Sequence, residues 1–299
     1  MKTKIIHNPY SNRWNSAKRW PEVEALLRES EIEFDVVHSA DPASLYELAR
    51  LAAIDGYDQV VAAGGDGTIG TIVNAITHTV GVEKLPTFGL LPMGTGNDFA
   101  YAMGISTDLK GAVSALKNGK TRQIDLGKVN DIYFINNCGL GIEPYVTVIQ
   151  NKITWIKGMI RYLVAAVNAI MDKPVWSGEL MWNGGSYKGP LSLTYVGNGG
   201  RTGGIFYMGL NSVVDDGKLT VVYGYKPNRR SMFAVLPKTM MLGEKNYVTD
   251  PDIHEVFTDW LSVKLENPSP MHTDGEVAKE FVGEATFSIF PGVVRFLVP

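Results

Sequence analysis

Apolar positions follow two different periods along this chain of 299 residues, and the change comes near residue 121. Before it, "KIIHNP", "EFDVVHS", "DQVVAAGG" and "TFGLLPMG" are short β-branched and apolar runs of strand length. Between them, "WPEVEALLRES" and "DPASLYELARLAAIDG" repeat their apolar residues at helical spacing, the second with Asp41 as N-cap and Pro42 at the first helical position. This alternation predicts an α/β domain over residues 1–123, a doubly wound, mostly parallel sheet with helices on both faces. After it, "RQIDLGKVN", "DIYFINNCG", "GPLSLTYVGN", "KLTVVYGY", "WLSVKLEN" and "EATFSIFP" are separated by Asn, Gly, Asp and Pro. They predict an all-β domain over residues 124–290, an antiparallel β-sandwich or barrel. Residues 291–299 are expected to pack back on the first domain. One helical stretch, roughly "VTVIQNKITWIKGMIRYLVAAVNAIM", interrupts the strands.

Two glycine loops follow neighbouring strands of the first domain. In "VVAAGGDGTIGTIVNAI", Gly64, Gly65, Asp66, Gly67 and Thr68 stand between a strand and a helix, where open α/β sheets place their ligands. Glycines let backbone N–H groups approach a phosphate, and the helix N-terminus adds favourable partial charge. A bare Asp66 would repel a triphosphate, so a divalent cation such as Mg2+ is expected between them. The same residues also read as a tight turn in which Asp66 caps the helix that follows. In "TFGLLPMGTGNDFAYAMG", Gly94, Thr95, Gly96, Asn97 and Asp98 repeat the arrangement. Neither loop is a Walker A or a dinucleotide fingerprint.

Two Asp-Gly pairs in the second domain read first as hairpin turns: Asp274-Gly275 in "MHTDGEVAKE" and Asp216-Gly217 in "NSVVDDGKLTVV". In "VGNGGRTGGIFYMG", Asn198 and six glycines exceed what a hairpin needs, and Gly203 and Gly204 suit the lip of a cleft. Two stretches mix apolar and basic residues. The first has Trp155, Met159, Tyr162 and Leu163 beside Lys152, Lys157 and Arg161. The second has Met232, Phe233, Leu236, Met240, Met241 and Leu242 beside Arg229, Arg230 and Lys238. Both read as core packing and, alternatively, as a membrane-facing rim.

Composition narrows the classes. A net charge of −3 and a pI near 6.0 supply no global positive field for nucleic acid. Cys138 is the single cysteine, which excludes an internal disulfide and suits a reducing cytoplasm. No apolar run has the length of a signal peptide core or a bilayer span. The five histidines show no metal-ligand spacing, and His272, in a turn two residues before Asp274, could tune that residue but reads more readily as solvated.

The motifs together are recognisable. "GGDGT", then "LLPMGTGNDFA", "IDLGKVN", "FINNCGLGIE", "VGNGGRTGG", "VVDDGKL" and "HTDGE" resemble, in order and spacing, the catalytic domain of diacylglycerol kinases and the related bacterial lipid kinases. The resemblance implies an NAD kinase/phosphofructokinase-like first domain and a lipid-binding second domain. It implies ATP and Mg2+ as cofactors, with nucleotide contacts from Asn8, Pro9, Ser39, Gly64, Gly65, Asp66, Gly67, Thr68, Gly94, Thr95, Gly96, Asn97, Asp98 and Glu276. It implies Asp66 and Asp274 as catalytic residues, Asp274 as the base for the lipid hydroxyl, and a structural Mg2+ on Asp216 with backbone oxygens of Val213 and Lys218. Asp125 could extend an aspartate, water and Mg2+ network from Asp66.

The chain departs from the family at Gly70 and Thr71, where bacterial members usually carry Asn-Glu, and at Asn12, which replaces a glycine in the nucleotide turn "NPYSN". Asn tolerates positive φ better than most residues. The expected function is a cytoplasmic, peripherally membrane-associated kinase acting on a lipid such as diacylglycerol to give phosphatidic acid. Two alternatives stay open: an NAD kinase or phosphofructokinase-like small-molecule kinase, and a nucleotide-responsive membrane-binding module without catalysis. A homodimer is compatible with all three.

Overall fold

The structure, a computed structural model, describes residues 2–156 and 160–299. Its contacts divide the chain into two units, Met1–Leu126 with Pro291–Pro299 and Gly127–Phe290.

In the first unit, β1 (Thr3–His7), α1 (Asn15–Glu29), β2 (Asp35–His38), α2 (Ser44–Ile54), β3 (Gln59–Gly64), α3 (Asp66–Val80) and β4 (Thr87–Pro92) alternate along the chain. A short α4 (Asp98–Ala102), α5 (Leu109–Asn118) and the start of β5 (Lys120–Val129) complete it. The strands pair in parallel in the order β2-β1-β3-β4, and Phe296 from the chain's end pairs in parallel with Phe88 of β4. Every residue of β3 and β4 is buried, which is why they read as continuous apolar runs. The α2–α3 and α1–α5 pairs pack beside this sheet.

The strand order reverses between β1 and β3, so the ligand crevice of this topology lies past the carboxyl ends of those two strands. "NPYSN" follows one of them and "GGDGT" the other. Two helix starts differ from expectation. Helix α1 begins at Asn15 and carries Pro21 inside it, forgoing one backbone bond. Asp41 does accept the Ser44 N–H at 2.8 Å, but α2 begins at Ser44, beyond Pro42.

The second unit continues with β6 (Ile132–Phe134), β7 (Asn137–Gly141), α6 (Ile142–Lys152), α7 (Ile160–Asp172), β8 (Trp176–Trp182), β9 (Gly185–Leu191) and β10 (Leu193–Gly197). There follow β11 (Arg201–Thr202), β12 (Phe206–Tyr207), β13 (Leu219–Gly224), α8 (Arg229–Val235), β14 (Ile253–Thr258) and β15 (Trp260–Ser269). The hairpin β16 (Met271–Thr273) and β17 (Glu276–Val277) and the long β18 (Val282–Val298) end the chain. Six strands form an antiparallel sheet in the order β14-β13-β10-β7-β16-β17, and β18, β15, β8 and β9 pair antiparallel in another.

Alternation along β10 and β13 sends side chains to two different cores. Val196, Leu219, Val221 and Tyr223 join Phe134, Leu261 and Phe287 in the sandwich core, while Leu193, Tyr195 and Val222 join Ala166, Val235 and Tyr247 in a core under the helices. Full burial of each such side chain contributes about 1.5–3 kcal/mol. The architecture is therefore a mostly parallel α/β sheet and a β-sandwich, the latter with helices on one sheet. The expected single helix after residue 145 is two, α6 and α7, and α6 starts earlier, at Ile142. Lys157 and Met159 lie outside the described residues.

Candidate active site

The two glycine loops of the first unit are locked to each other. A Cβ on Gly94 would stand 2.5 Å from Gly65 Cα and 2.8 Å from Asn97 Oδ1, so only glycine permits the contact. Asn97, at φ 49, clasps Gly94 from both sides: Oδ1 accepts its N–H at 2.9 Å and Nδ2 donates to its carbonyl at 3.1 Å. Asp66 adds a third tie. Its Oδ1 accepts the Phe99 N–H at 2.8 Å, so this carboxylate caps α4. A hydrogen bond to a charged group is worth about 1.5–3 kcal/mol.

The β1 loop joins through Thr68, a hydroxyl just past the Gly-Asp-Gly turn. Asn8 Nδ2 donates to Thr68 Oγ1 at 3.0 Å, Ser11 Oγ lies 3.2 Å from it, and a Cβ on Gly64 would stand 2.4 Å from the same atom. Asn12 takes φ 52, the positive value a glycine would adopt, and its Oδ1 accepts from Thr95 Oγ1 at 3.2 Å. Ser39, just past β2, is buried with an Oγ that has no hydrogen-bond partner. Pro9, Gly67, Gly96 and the buried Asp98 complete the set, so all nucleotide residues expected of this unit lie on β1, β2, β3 and β4 carboxyl ends. Gly70 is buried within α3. Asp125, also buried, accepts the Gly292 N–H at 2.8 Å, a structural tie to the chain's last segment.

In the second unit, Asp274 and Gly275 form the turn of the β16–β17 hairpin, with φ 49 and 87 as a type I′ turn requires. Asp274 is 3% exposed, and its carboxylate accepts three backbone N–H groups: Ile135 at 2.9 Å, Asn136 at 2.8 Å and Asn137 at 3.0 Å. Its own N–H donates to Asn137 O at 2.8 Å. Asn198, from "VGNGG", binds the same segment through Ile135 O and Asn136 O. Asp274 thus reads as a clamp on the 135–137 segment.

Glu276, opposite Thr273 in the hairpin, is exposed at its surface. Protein crowded around its carboxyl pushes it above the usual glutamate value, with His272 pulling the other way. His272 is 1% exposed, contrary to the expected solvated turn residue. Burial works against its imidazolium, but the carboxylates of Glu143, Asp274 and Glu276 outweigh this and hold the ring above the usual histidine value.

An apolar cavity of about 120 Å³ opens beside the helices of this unit. Ile142 and Val146 of α6, Tyr162, Ala166 and Ile170 of α7, Met232 and Val235 of α8, and Leu193, Phe206 and Ile253 line it, with Gly203 at its wall. Glu143 and Lys226 are its charged lining residues. Lys226 forms an ion pair with Asp250 and another, at 2.9 Å, with Asp252. An adjacent flank of α7 shows an exposed apolar stripe, Ile160, Leu163, Val167 and Met171, and Trp155 is 80% exposed. The two mixed stretches thus divide their apolar residues between the cavity wall, as Tyr162, Met232 and Leu236, and the exposed surface, as Trp155, Leu163, Phe233 and Leu242.

Asp216 lies exposed in its turn, and its Oδ1 accepts the Lys218 N–H at 2.9 Å, with Gly217 at φ 73. Val213 is 45% exposed. An Asx turn with one carboxylate is a sufficient account of this loop, and among the described residues no group of three acidic, His or Cys side chains gathers for a metal.

The comparisons with known proteins agree with one another. Residues 2–129 match the family model described as the diacylglycerol kinase catalytic domain. Residues 136–298 match that of the YegS C-terminal NAD kinase beta sandwich-like domain. Curated relatives include the diacylglycerol kinase of Bacillus subtilis (strain 168), 29% identical over 95% of this chain and 92% of its own. That of Staphylococcus saprophyticus is 25% identical over 94% and 91%. A crystal structure of a diacylglycerol kinase from Bacillus anthracis str. Sterne superposes with a TM-score of 0.76 at 18% identity, covering 100% of this chain and 97% of that one. The fold and its glycine loops thus define a phosphotransferase. The chain belongs to the diacylglycerol kinase family, and it is a lipid kinase.

Sequence reasoning missed Glu143 and Lys226 as parts of the site, and weighed His272 only as a neighbour that could tune Asp274. Glu143 stood in the quoted "GLGIE" and could have been weighed as an acid at a helix start. Nothing local marks Lys226, whose partners are 24 and 26 residues away.

Proposed function

We propose that this kinase transfers the γ-phosphoryl group of ATP to the free hydroxyl of diacylglycerol, giving phosphatidic acid. The observation that carries the reading is the apolar cavity of the second unit, whose lining suits acyl chains and offers little to NAD+ or a sugar phosphate. The nucleotide lies on the β1, β3 and β4 loops, where locked glycines present backbone N–H groups to the phosphates. Asp66, one oxygen held by Phe99, is the carboxylate that would face a nucleotide-bound Mg2+, and the oxygen-rich loop suits that ion. The ion, when bound, neutralises charge on the phosphate oxygens.

Of the two acids in "DGE", Glu276 fits the proton acceptor. The residue is exposed and its carboxyl is held above the usual glutamate value, whereas both oxygens of Asp274 are committed to backbone donors. Asp274 holds the 135–137 segment and the hairpin in place. Because the transition state for phosphoryl transfer is loose, the hydroxyl proton leaves late and a carboxylate suffices as acceptor. No helix among the described residues is long and apolar enough to cross a membrane. The α7 stripe, with Arg229 beside it donating its Nε–H to Met171 O at 2.7 Å, supports a peripheral contact with an anionic membrane surface on the cytoplasmic side.

The test is Glu276→Gln with labelled ATP and diacylglycerol in mixed micelles. Transfer falls at least a hundredfold, and ATP affinity, measured separately, shows whether Glu276 also contacts the nucleotide as the family resemblance implies. A Glu276→Gln enzyme running at the wild-type rate refutes the assignment.

A further inference from the structure

Between β13 and β14 the chain leaves its sheet and returns to the same place. Gly224, at the end of β13, is opposite Ile253, the first residue of β14, so the residues between them form a closed excursion. Its two ends are pinned. On the way out, Lys226 pairs with Asp250 and Asp252 at the far end, and Arg229 donates to Met171 O of α7 at 2.7 Å. On the way back, the buried Asn246 donates to Tyr207 O at 3.1 Å, and the buried Tyr247 donates its hydroxyl to Met208 O at 2.7 Å.

Between these posts, residues 230–245 hold most of α8 and the 3-10 turns Leu236–Met240 and Gly243–Lys245. Met232, Val235, Leu236 and Thr239 of this stretch are one wall of the apolar cavity. Outside, Phe233, Met241 and Leu242 are exposed among Arg230, Lys238 and Lys245, with Glu244 as the one acid of the stretch. An ion pair runs from the stretch to its base: Lys238 Nζ stands 3.8 Å from Asp250 Oδ2, and the lysine side chain is 44% exposed.

Size decides what this wall must do. The cavity has about 120 Å³ of room. A cavity of about 150 Å³ takes up a benzene ring, and pockets that enclose drug-sized ligands have about 300–1,000 Å³. Each acyl chain of a diacylglycerol is larger than a benzene ring, so a wall has to move to admit it. α6 packs on β7, β10, β16 and β17, and α7 packs on α6, whereas α8 packs chiefly on α7 and on the turn that follows it.

We infer that residues 230–245 are a lid over the acyl cavity, latched by Lys238 on Asp250 and released at an anionic bilayer. This rests on the reading of the cavity as the acyl site. Lys238 leaves Asp250 at little cost, because Lys226 still compensates that carboxylate. A lipid phosphate offers Lys238 an equivalent partner, and the same negative surface draws Arg230 and Lys245. Phe233, Met241 and Leu242 then exchange water for the acyl layer. The lid turns on its posts, carries Met232, Val235 and Leu236 off the cavity, and the substrate enters without crossing water.

The test places spin labels on Ala234→Cys in the lid and Val167→Cys on α7, both exposed, while the native Cys138 is buried and stays unlabelled. The distance between labels is measured in the full chain without ATP or diacylglycerol, alone, with phosphatidylcholine vesicles, and with vesicles that also contain phosphatidylglycerol. A longer distance, by several ångström, appears on the mixed vesicles and recedes at high salt. Adding Lys238→Gln enriches that longer component about two- to fivefold without vesicles, the effect expected of losing one partly exposed ion pair. An unchanged distance on mixed vesicles overturns the lid. A component that grows equally on phosphatidylcholine alone, or that ignores Lys238→Gln, overturns the latch. A chain that makes phosphatidic acid with an unmoved lid sinks only this inference, whereas one whose lid opens but which phosphorylates no diacylglycerol sinks the substrate reading.

Discussion

Gly94→Ala probes the nucleotide platform at its tightest point. The added Cβ would meet Gly65 Cα at 2.5 Å, whereas ordinary contact begins near 3.4 Å, so the loops must part by roughly 0.9 Å. Neither side can yield cheaply. The obstacle is backbone, and the Gly94–Asn97 clasp at 2.9 and 3.1 Å resists rotation of the loop. Overpacking of this kind costs about 1–3 kcal/mol, which lowers the Tm by some 2–12 °C in a unit of this size. The displacement also separates the β3 and β4 loops that hold one nucleotide between them. Misplacing a bound group by about 1 Å can cost a hundredfold in rate. The KM for ATP therefore rises at least tenfold and kcat falls, while binding of a diacylglycerol analogue, measured separately, is unchanged. A folded Gly94→Ala enzyme with wild-type ATP affinity and kcat would show that the contact between the loops does not shape the nucleotide site.

Other expectations follow from the same contacts. Asp274→Asn lowers stability by about 1–3 kcal/mol, since the amide cannot satisfy three converging N–H groups, whereas Glu276→Gln leaves the Tm near wild type; equal melting of Asp274→Asn and wild type would refute the clamp. Ala166→Trp fills the apolar cavity from α7, so the KM for long-chain diacylglycerol rises severalfold with ATP binding intact, and an unchanged lipid KM would place the acyl chains elsewhere. Burial, then the neighbouring His38, lowers the pKa of His7 from 6.5 to about 4. The folded state thus binds fewer protons than the unfolded one, and stability falls as pH drops from 6.5 toward 4. His7→Gln flattens that slope in thermal melts across this window, and an unaltered slope would assign the acid sensitivity to other groups.

The parts of the fold visible in the sequence are those with local causes. β3 and β4 are buried on both faces and so read as unbroken apolar runs, and the glycine loops follow directly from them. β8 and β14 were not foreseen, because each is half-exposed, with Gly178, Glu179 and Glu255 diluting the β signal. The split of the helical stretch into α6 and α7 was equally hidden, since apolar spacing continues across it. At the site, Asp274 and Glu276 are two residues apart and chemically alike. Their different environments come from Ile135, Asn136 and Asn137, about 140 residues upstream. His272 was misjudged for the same reason: its partner Glu143 reaches it through packing of α6 on the hairpin strands, which no local pattern encodes.

The most direct measurement of the central claim supplies the purified chain with labelled ATP and, in parallel, a total lipid extract, NAD+ and fructose 6-phosphate, identifying products by mass spectrometry. The account predicts label in phosphatidic acid alone, lost in Glu276→Gln. Label in NADP+ or a sugar bisphosphate, or none in any lipid while ATP still binds, would contradict it.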